Sequence, residues 1–226
     1  MDIPKNNTIS MIDQALKHKV NNRVKRTYMG TSYIGHECAR RVWYHYHKPD
    51  LQEAIGPRIQ RIFDMGHMIE DYLVKMLVST GLEVHEKDSN GDQFGFEDGP
   101  VRGHIDGVIK NIPESTKAHL LEIKSANNKN FNSMVKKGIR NVYEHYWVQA
   151  QIYAYKMKLD KILFIVYNKD NSELYQERMD VNKKAAKAYL KRAKDLAIEE
   201  LEPPREYRNE SFYKCKFCPF NKECWK

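Results

Sequence analysis

Leu120-Leu121-Glu122-Ile123-Lys124 reads as a β-strand with one charged face. The strand period of two puts Glu122 and Lys124 on one side and Leu121 and Ile123 on the other, so a carboxylate and an ammonium project together. The rest of the segment is apolar, as a strand buried in a central sheet should be. Upstream, His104-Ile105-Asp106-Gly107-Val108 falls in a second extended stretch over residues 103–110, with turn-forming residues at 111–116 between the two. The pair is expected to form an antiparallel hairpin that lets Asp106 converge with Glu122, with Gly107 giving close backbone access.

Two carboxylates at one point repel each other unless a cation sits between them, and hard oxygen ligands select Mg²⁺ or Mn²⁺. Such an ion can acidify a water, polarise a phosphodiester and stabilise the charge that develops on attack.

Outward from this hairpin the chain alternates helix and strand. Helices are expected over residues 8–20, over 32–46 with Thr31 or Ser32 as cap and Pro49 beyond, and over 58–78, where Ile62, Ile69, Leu73 and Leu77 recur at helical spacing before Gly81. A short strand follows at 82–86. Residues 146–157 return to helix. A nearly continuous apolar strand spans 161–167 and pairs with 173–179 across Asn168-Lys169-Asp170-Asn171. A last helix runs over 182–201 until Pro203-Pro204 stop it. These elements predict an α/β protein, a mixed central sheet flanked by helices.

The chain has 226 residues, enough to bury a core, and no apolar run near the ~20 residues that span a bilayer. It carries no charged-then-apolar leader and reads as a soluble intracellular protein. Thirty-eight Lys and Arg against thirty Asp and Glu leave a net charge of +8, which favours a polyanionic partner such as nucleic acid or marks a merely basic surface.

Two helices offer partners for the acidic strands. Gln149 and Tyr153 share a face, and Gln151 and Tyr155 share nearly the opposite one; whichever pair looks inward can hold a lysine, a water or a phosphate. Glu70, with His67 one turn back, can add a third carboxylate.

Cys215, Cys218 and Cys224 lie within ten residues of a tail too short to fold alone. Two-residue spacing lets two thiolates grip one metal centre. The remaining cysteine, Cys38, sits near the other end of the chain, so a four-thiolate site would fasten the tail to an N-terminal helix, with zinc or an iron–sulfur cluster as the occupant.

One N-terminal Cys, a Gly-x-x-x-Glu helix, Asp then Glu-x-Lys, Gln-x-x-x-Tyr and a terminal Cys-x2-Cys-x5-Cys, in that order, resemble the iron–sulfur nucleases of the RecB-like PD-(D/E)XK superfamily. The likeness is nearest to the exonucleases of CRISPR adaptation and their stand-alone phage relatives. The resemblance implies a restriction-endonuclease-like core over residues 31–226, with residues 1–30 as a helical extension and the two ends joined at a metal cluster. It implies that Glu70, Asp106, Glu122 and Ile123 form the Mg²⁺ or Mn²⁺ site, that Lys124 orients the attacking water, and that Gln149 and Tyr153 support it. It makes Cys38, Cys215, Cys218 and Cys224 ligands of a [4Fe–4S] cluster, with structural zinc the alternative. Ile105 stands where the name-giving Pro would be.

The implied activity is metal-dependent exonuclease action on DNA with accessible ends, in the cytoplasm of a bacterial cell or of a phage's host. His67, Arg40, Arg41, Lys129, Lys136, Lys137 and Arg140 are candidate phosphate contacts. Trp43, Tyr44 and Tyr46 either stack on bases or pack in the core. The rival readings are a non-catalytic nucleic-acid-binding module with a metal staple, and an end-trimming subunit of CRISPR spacer acquisition.

Overall fold

The computed structural model describes residues 7–226. The first six residues of the expected 1–30 extension lie outside the described residues. The chain runs α1 (Asn7–Asn21), β1 (Met29–Gly30), α2 (Thr31–Ile34), α3 (Ala39–His47), α4 (Pro57–Ser79), β2 (Glu83–His85), β3 (Gly95–Asp98), β4 (Val101–His104) and β5 (Gly107–Lys110). It continues through β6 (His119–Ala126), α5 (Asn128–Lys137), α6 (Ile139–Val142), α7 (Glu144–Lys156), β7 (Lys161–Asn168), β8 (Leu174–Asp180), α8 (Lys183–Ile198), α9 (Tyr213–Lys216) and α10 (Asn221–Cys224).

The central sheet has the order β2-β5-β6-β7-β8, with β6 and β7 parallel and the other neighbours antiparallel. β6 and β7 are covered on both faces, which is why their sequences are almost continuously apolar. Leu121, Ile123 and Leu163 pack with Ile69 and Leu73 of α4. On the other face Leu120 and Phe164 pack with Phe131 and Met134 of α5 and with Ala150 and Tyr153 of α7. The alternation read from the sequence therefore has a physical result: the apolar side of Glu-x-Lys faces α4 and its charged side lies on the α7 side.

The expected 103–110 strand is two strands. β4 belongs to a second sheet, β1-β4-β3, while β5 belongs to the central one, and Ile105 and Asp106 lie at the crossing between them. Ile105 is fully buried and its N–H still bonds to Phe94 O at 2.9 Å, so the chain changes sheet without stranding a donor. Gly107 lets a neighbouring backbone come close, that of β2. A Cβ on it would stand 3.3 Å from His85 O and 3.4 Å from Val84 Cγ1, so it is β2 that needs the missing side chain.

The expected 32–46 helix is likewise two helices. At the break, a Cβ on Gly35 would come within 2.7 Å of His145 Cα, so the glycine lets α2 lie directly against α7. Cys38, expected inside the helix, caps α3 instead, its Sγ accepting from Arg41 N at 3.4 Å. Trp43 and Tyr44 of α3 are core residues. Trp43 Nε1 donates to Glu199 O at 2.7 Å, and Tyr44 stacks on Phe220. Every described residue of α1 is at least partly exposed. Ion pairs of Asp13 with Arg61 and of Lys19 with Asp64 join it to α4.

Candidate active site

Asp106, at the crossing between the sheets, stands beside β6, and its Oδ2 accepts from Ile123 N at 2.7 Å. The Gly107↔Leu121 register next to it brings Asp106 alongside Glu122. Glu122 is fully buried. Its Oε1 is paired with Lys124 Nζ at 2.5 Å, and among the described residues its Oε2 has no donor. An ionised carboxylate accepts at about four lone-pair positions. One ammonium leaves most of them empty, so the donor set fits a divalent cation.

The electrostatics agree with crowded, desolvated acids. Burial pushes Glu122 up to about 8 against the pull of Lys124, and Asp106 adds to the rise. Burial likewise raises Glu70 to about 7, with Asp106 next in effect. Asp106 is raised by burial and held back by Lys124 and by the Ile123 N–H. Burial works to lower Lys124, but Glu122 and Asp106 overcome it and raise its pKa, so it stays an ammonium.

A cavity of about 500 Å³ opens beside these groups, with Glu70, Asp106, Gln149 and Tyr153 in its wall and Glu122 and Lys124 behind it. Gln149 Nε2 donates to the Tyr153 hydroxyl at 3.2 Å. Burial lifts Tyr153 to about 12, so it remains a neutral donor. The other pair is structural: Gln151 Oε1 accepts from Asn182 N at 2.5 Å and so joins α7 to the start of α8. His67 lines the same cavity, its Nδ1 3.7 Å from Glu70 Oε2.

Among the described residues, no group of three or more His, Cys, Asp or Glu is arranged to hold a metal ion as it stands. The carboxylates converge, with Lys124 lying on Glu122. The four cysteines border one small cavity of about 30 Å³ where the start of α3 meets α9 and α10. They are free thiols, and burial raises Cys38, Cys215 and Cys218.

The expected phosphate contacts scatter. Arg40 is ion-paired with Glu202 and Arg41 Nη1 lies 2.8 Å from His36 Nε2, both beside the cysteine cavity. Arg140 lies over the Trp147 ring at 4.2 Å. Lys129, Lys136 and Lys137 are exposed on α5. Arg26, Tyr28, Glu86, Arg102 and His104 line the carboxylate cavity and were missed in the sequence, where no spacing links them to the acidic strands.

No family model and no curated protein matches the sequence. Solved structures do. The chain superposes on the crystal structure of SSO0001 with a TM-score of 0.53 at 18% identity, over 96% of this chain and 95% of that one. It superposes on LHK-Exo, an alkaline exonuclease from Laribacter hongkongensis, with a TM-score of 0.51 at 13% identity, over 83% of this chain and 90% of that one. The complex of LHK-Exo with dAMP gives 0.51 at 12% identity, over 81% and 90%. The fold of this chain is similar to that of LHK-Exo. At such identities the likeness is one of fold, and the chemistry is argued from the site. Among the described residues no helix is long and apolar enough to cross a membrane.

Proposed function

We propose that this protein is a Mg²⁺- or Mn²⁺-dependent nuclease that hydrolyses DNA phosphodiesters from strand ends. The observation that carries the reading is the convergence of the buried carboxylates of Asp106 and Glu122, the latter paired with Lys124 through Oε1 and with its Oε2 left without a donor. Glu70, Asp106 and Glu122 hold the ion, and Ile123 N–H fixes the rotamer of Asp106. When bound, the ion supplies charge stabilisation at the scissile phosphate and a more acidic water. Lys124, kept charged by its acidic neighbours, orients that water and balances the charge of the attack. Gln149 and Tyr153 hold each other's polar groups at the cavity wall, where they can donate to a phosphate oxygen. Residues 31–226 constitute the nuclease unit, and the described part of residues 1–30 packs on it through α1. The alkaline exonuclease of similar fold, also solved with dAMP, supports the class of reaction.

The four cysteines hold a [4Fe–4S] cluster, or zinc in its place. The two-residue spacing of Cys215 and Cys218 supports this reading. The role is structural, since the thiols are assigned no part in hydrolysis.

The test of end-directed action compares end-labelled linear DNA, single- and double-stranded, with covalently closed circles, in Mg²⁺ and in Mn²⁺. Linear DNA is expected to be degraded and circles to survive. Cleavage of closed circles at the same rate would refute the requirement for ends.

A further inference from the structure

A second cavity, of about 510 Å³, lies between the end of α1, the segment that follows it, α3 and α4. Arg26 and His67 line both this cavity and the one beside the carboxylates, so the two share a wall. Its other walls combine the groups that bind a single nucleic-acid strand. Arg23 and Lys25 bring positive charge, with Glu53, which faces Lys222 at 3.5 Å, as the acid among the wall residues. Phe63 is 48% exposed on α4. Tyr33 and His45 stack with centroids 3.8 Å apart, and Arg26 lies over the Tyr33 ring at 5.8 Å. His45 is only 6% exposed, and among the described residues its Nε2 has no hydrogen-bond partner. Burial, followed by Arg41, lowers His45 to about 3, so the ring is neutral and backs Tyr33 as part of the cavity's aromatic wall.

From this juxtaposition we infer that the second cavity binds a nucleotide of a single DNA strand whose scissile phosphate lies over the carboxylates. Arg26 and His67 take the phosphate that bridges the two cavities, Arg23 and Lys25 the next, and Phe63 offers an exposed ring to a base. A cavity of this size suits a small ligand of one or two nucleotides. Cationic grooves lined with aromatic rings bind single strands through phosphates and stacking, with little regard to sequence. The inference rests on the nuclease reading for the identity of the strand, but Arg23, Lys25, Tyr33, His45 and Phe63 line the second cavity and not the one beside the carboxylates.

Arg26→Ala and Phe63→Ala alter exposed side chains, so the fold should survive, as circular dichroism would verify. Binding of a labelled single-stranded 12-mer is measured by anisotropy without divalent metal, and cleavage is measured in Mn²⁺ on the 12-mer and on thymidine 5′-(p-nitrophenyl phosphate), which is too small to reach both cavities. Each variant is expected to bind the 12-mer about tenfold more weakly, the loss of one stacked base or one phosphate contact. KM for the 12-mer should rise by about the same factor, while kcat/KM on the small diester changes less than twofold for Phe63→Ala. Unchanged 12-mer affinity in both variants would overturn the second cavity as a strand site. So would dAMP binding wild type as tightly as the 12-mer does, since a free mononucleotide would then be the ligand. If wild type cleaves neither substrate yet the variants lose 12-mer binding, the nuclease reading fails and the strand site stands.

Discussion

Glu122 is the residue at which burial and charge meet, and on which the proposed metal site depends. Its acid form is favoured in the metal-free protein because its folded pKa, about 8, lies above the ordinary 4.5. A group raised in this way contributes stability that is complete below 4.5 and is lost as pH rises through 8. A divalent cation binds the ionised form, so its stabilisation should grow over the same window. The rise in Tm on adding Mn²⁺ is therefore expected to be larger at pH 8.5 than at pH 6, and Glu122→Gln should flatten both trends; an identical pH dependence in Glu122→Gln would remove Glu122 from the account. Two glycines mark the limits of reading single residues. A Cβ on Gly103 would stand 2.4 Å from Thr31 Oγ1 and from Tyr153 Cε1, so Gly103→Ala should cost about 2 kcal/mol of stability in thermal unfolding and displace Tyr153. Gly66, the glycine of Gly-x-x-x-Glu, has as its nearest Cβ neighbour Ser125 Oγ at 3.9 Å, so Gly66→Ala in the middle of α4 should add about 0.5–1 kcal/mol. The chain carries both as the same letter. What separates them is a neighbour far away in sequence.

At the level of elements, periodicity exposed the long features and missed the interruptions. α4 was legible because its apolar residues recur every three or four positions, and β7 because a buried parallel strand is apolar throughout. The change of sheet at Ile105 and Asp106 was not legible, because both sides of the crossing remain extended and the switch depends on β3, a partner of only four residues. The break before Cys38 was hidden for a similar reason, since Gly35 is tolerated in a helix and the close approach of α7 is a tertiary fact. That break places Cys38 at the cap of α3, facing the cavity it shares with the tail. In anaerobically purified protein, Cys38→Ala and Cys218→Ala should each abolish the bound metal, iron with acid-labile sulfide or zinc, and lower Tm alike. Full metal content retained without Cys38 would break the four-ligand proposal.

Across the whole molecule, the sites depend on joining distant stretches of chain. α4 brings Glu70, the sheet crossing brings Asp106, β6 brings Glu122 and Lys124, and α7 brings Gln149 and Tyr153. The order of these motifs was visible in the sequence because each carries a polar residue into an otherwise apolar element. The walls that shape the cavity, Arg26, Arg102 and His104 among them, were not, because surface charges on loops and edge strands carry no period. The molecule's net charge of +8 coexists with a site whose centre is acidic, the arrangement expected if a cation must enter first and a polyanion second. The central claim is that these carboxylates hold a divalent ion that hydrolyses DNA. It is tested most directly by measuring Mn²⁺ binding and Mn²⁺-dependent cleavage of end-labelled single-stranded DNA side by side for wild type, Asp106→Ala and Glu122→Ala. Both variants should stay folded, bind Mn²⁺ at least tenfold more weakly, and cleave about a thousandfold more slowly or worse, since several kcal/mol of transition-state charge stabilisation are lost; wild-type cleavage by either variant would contradict the account.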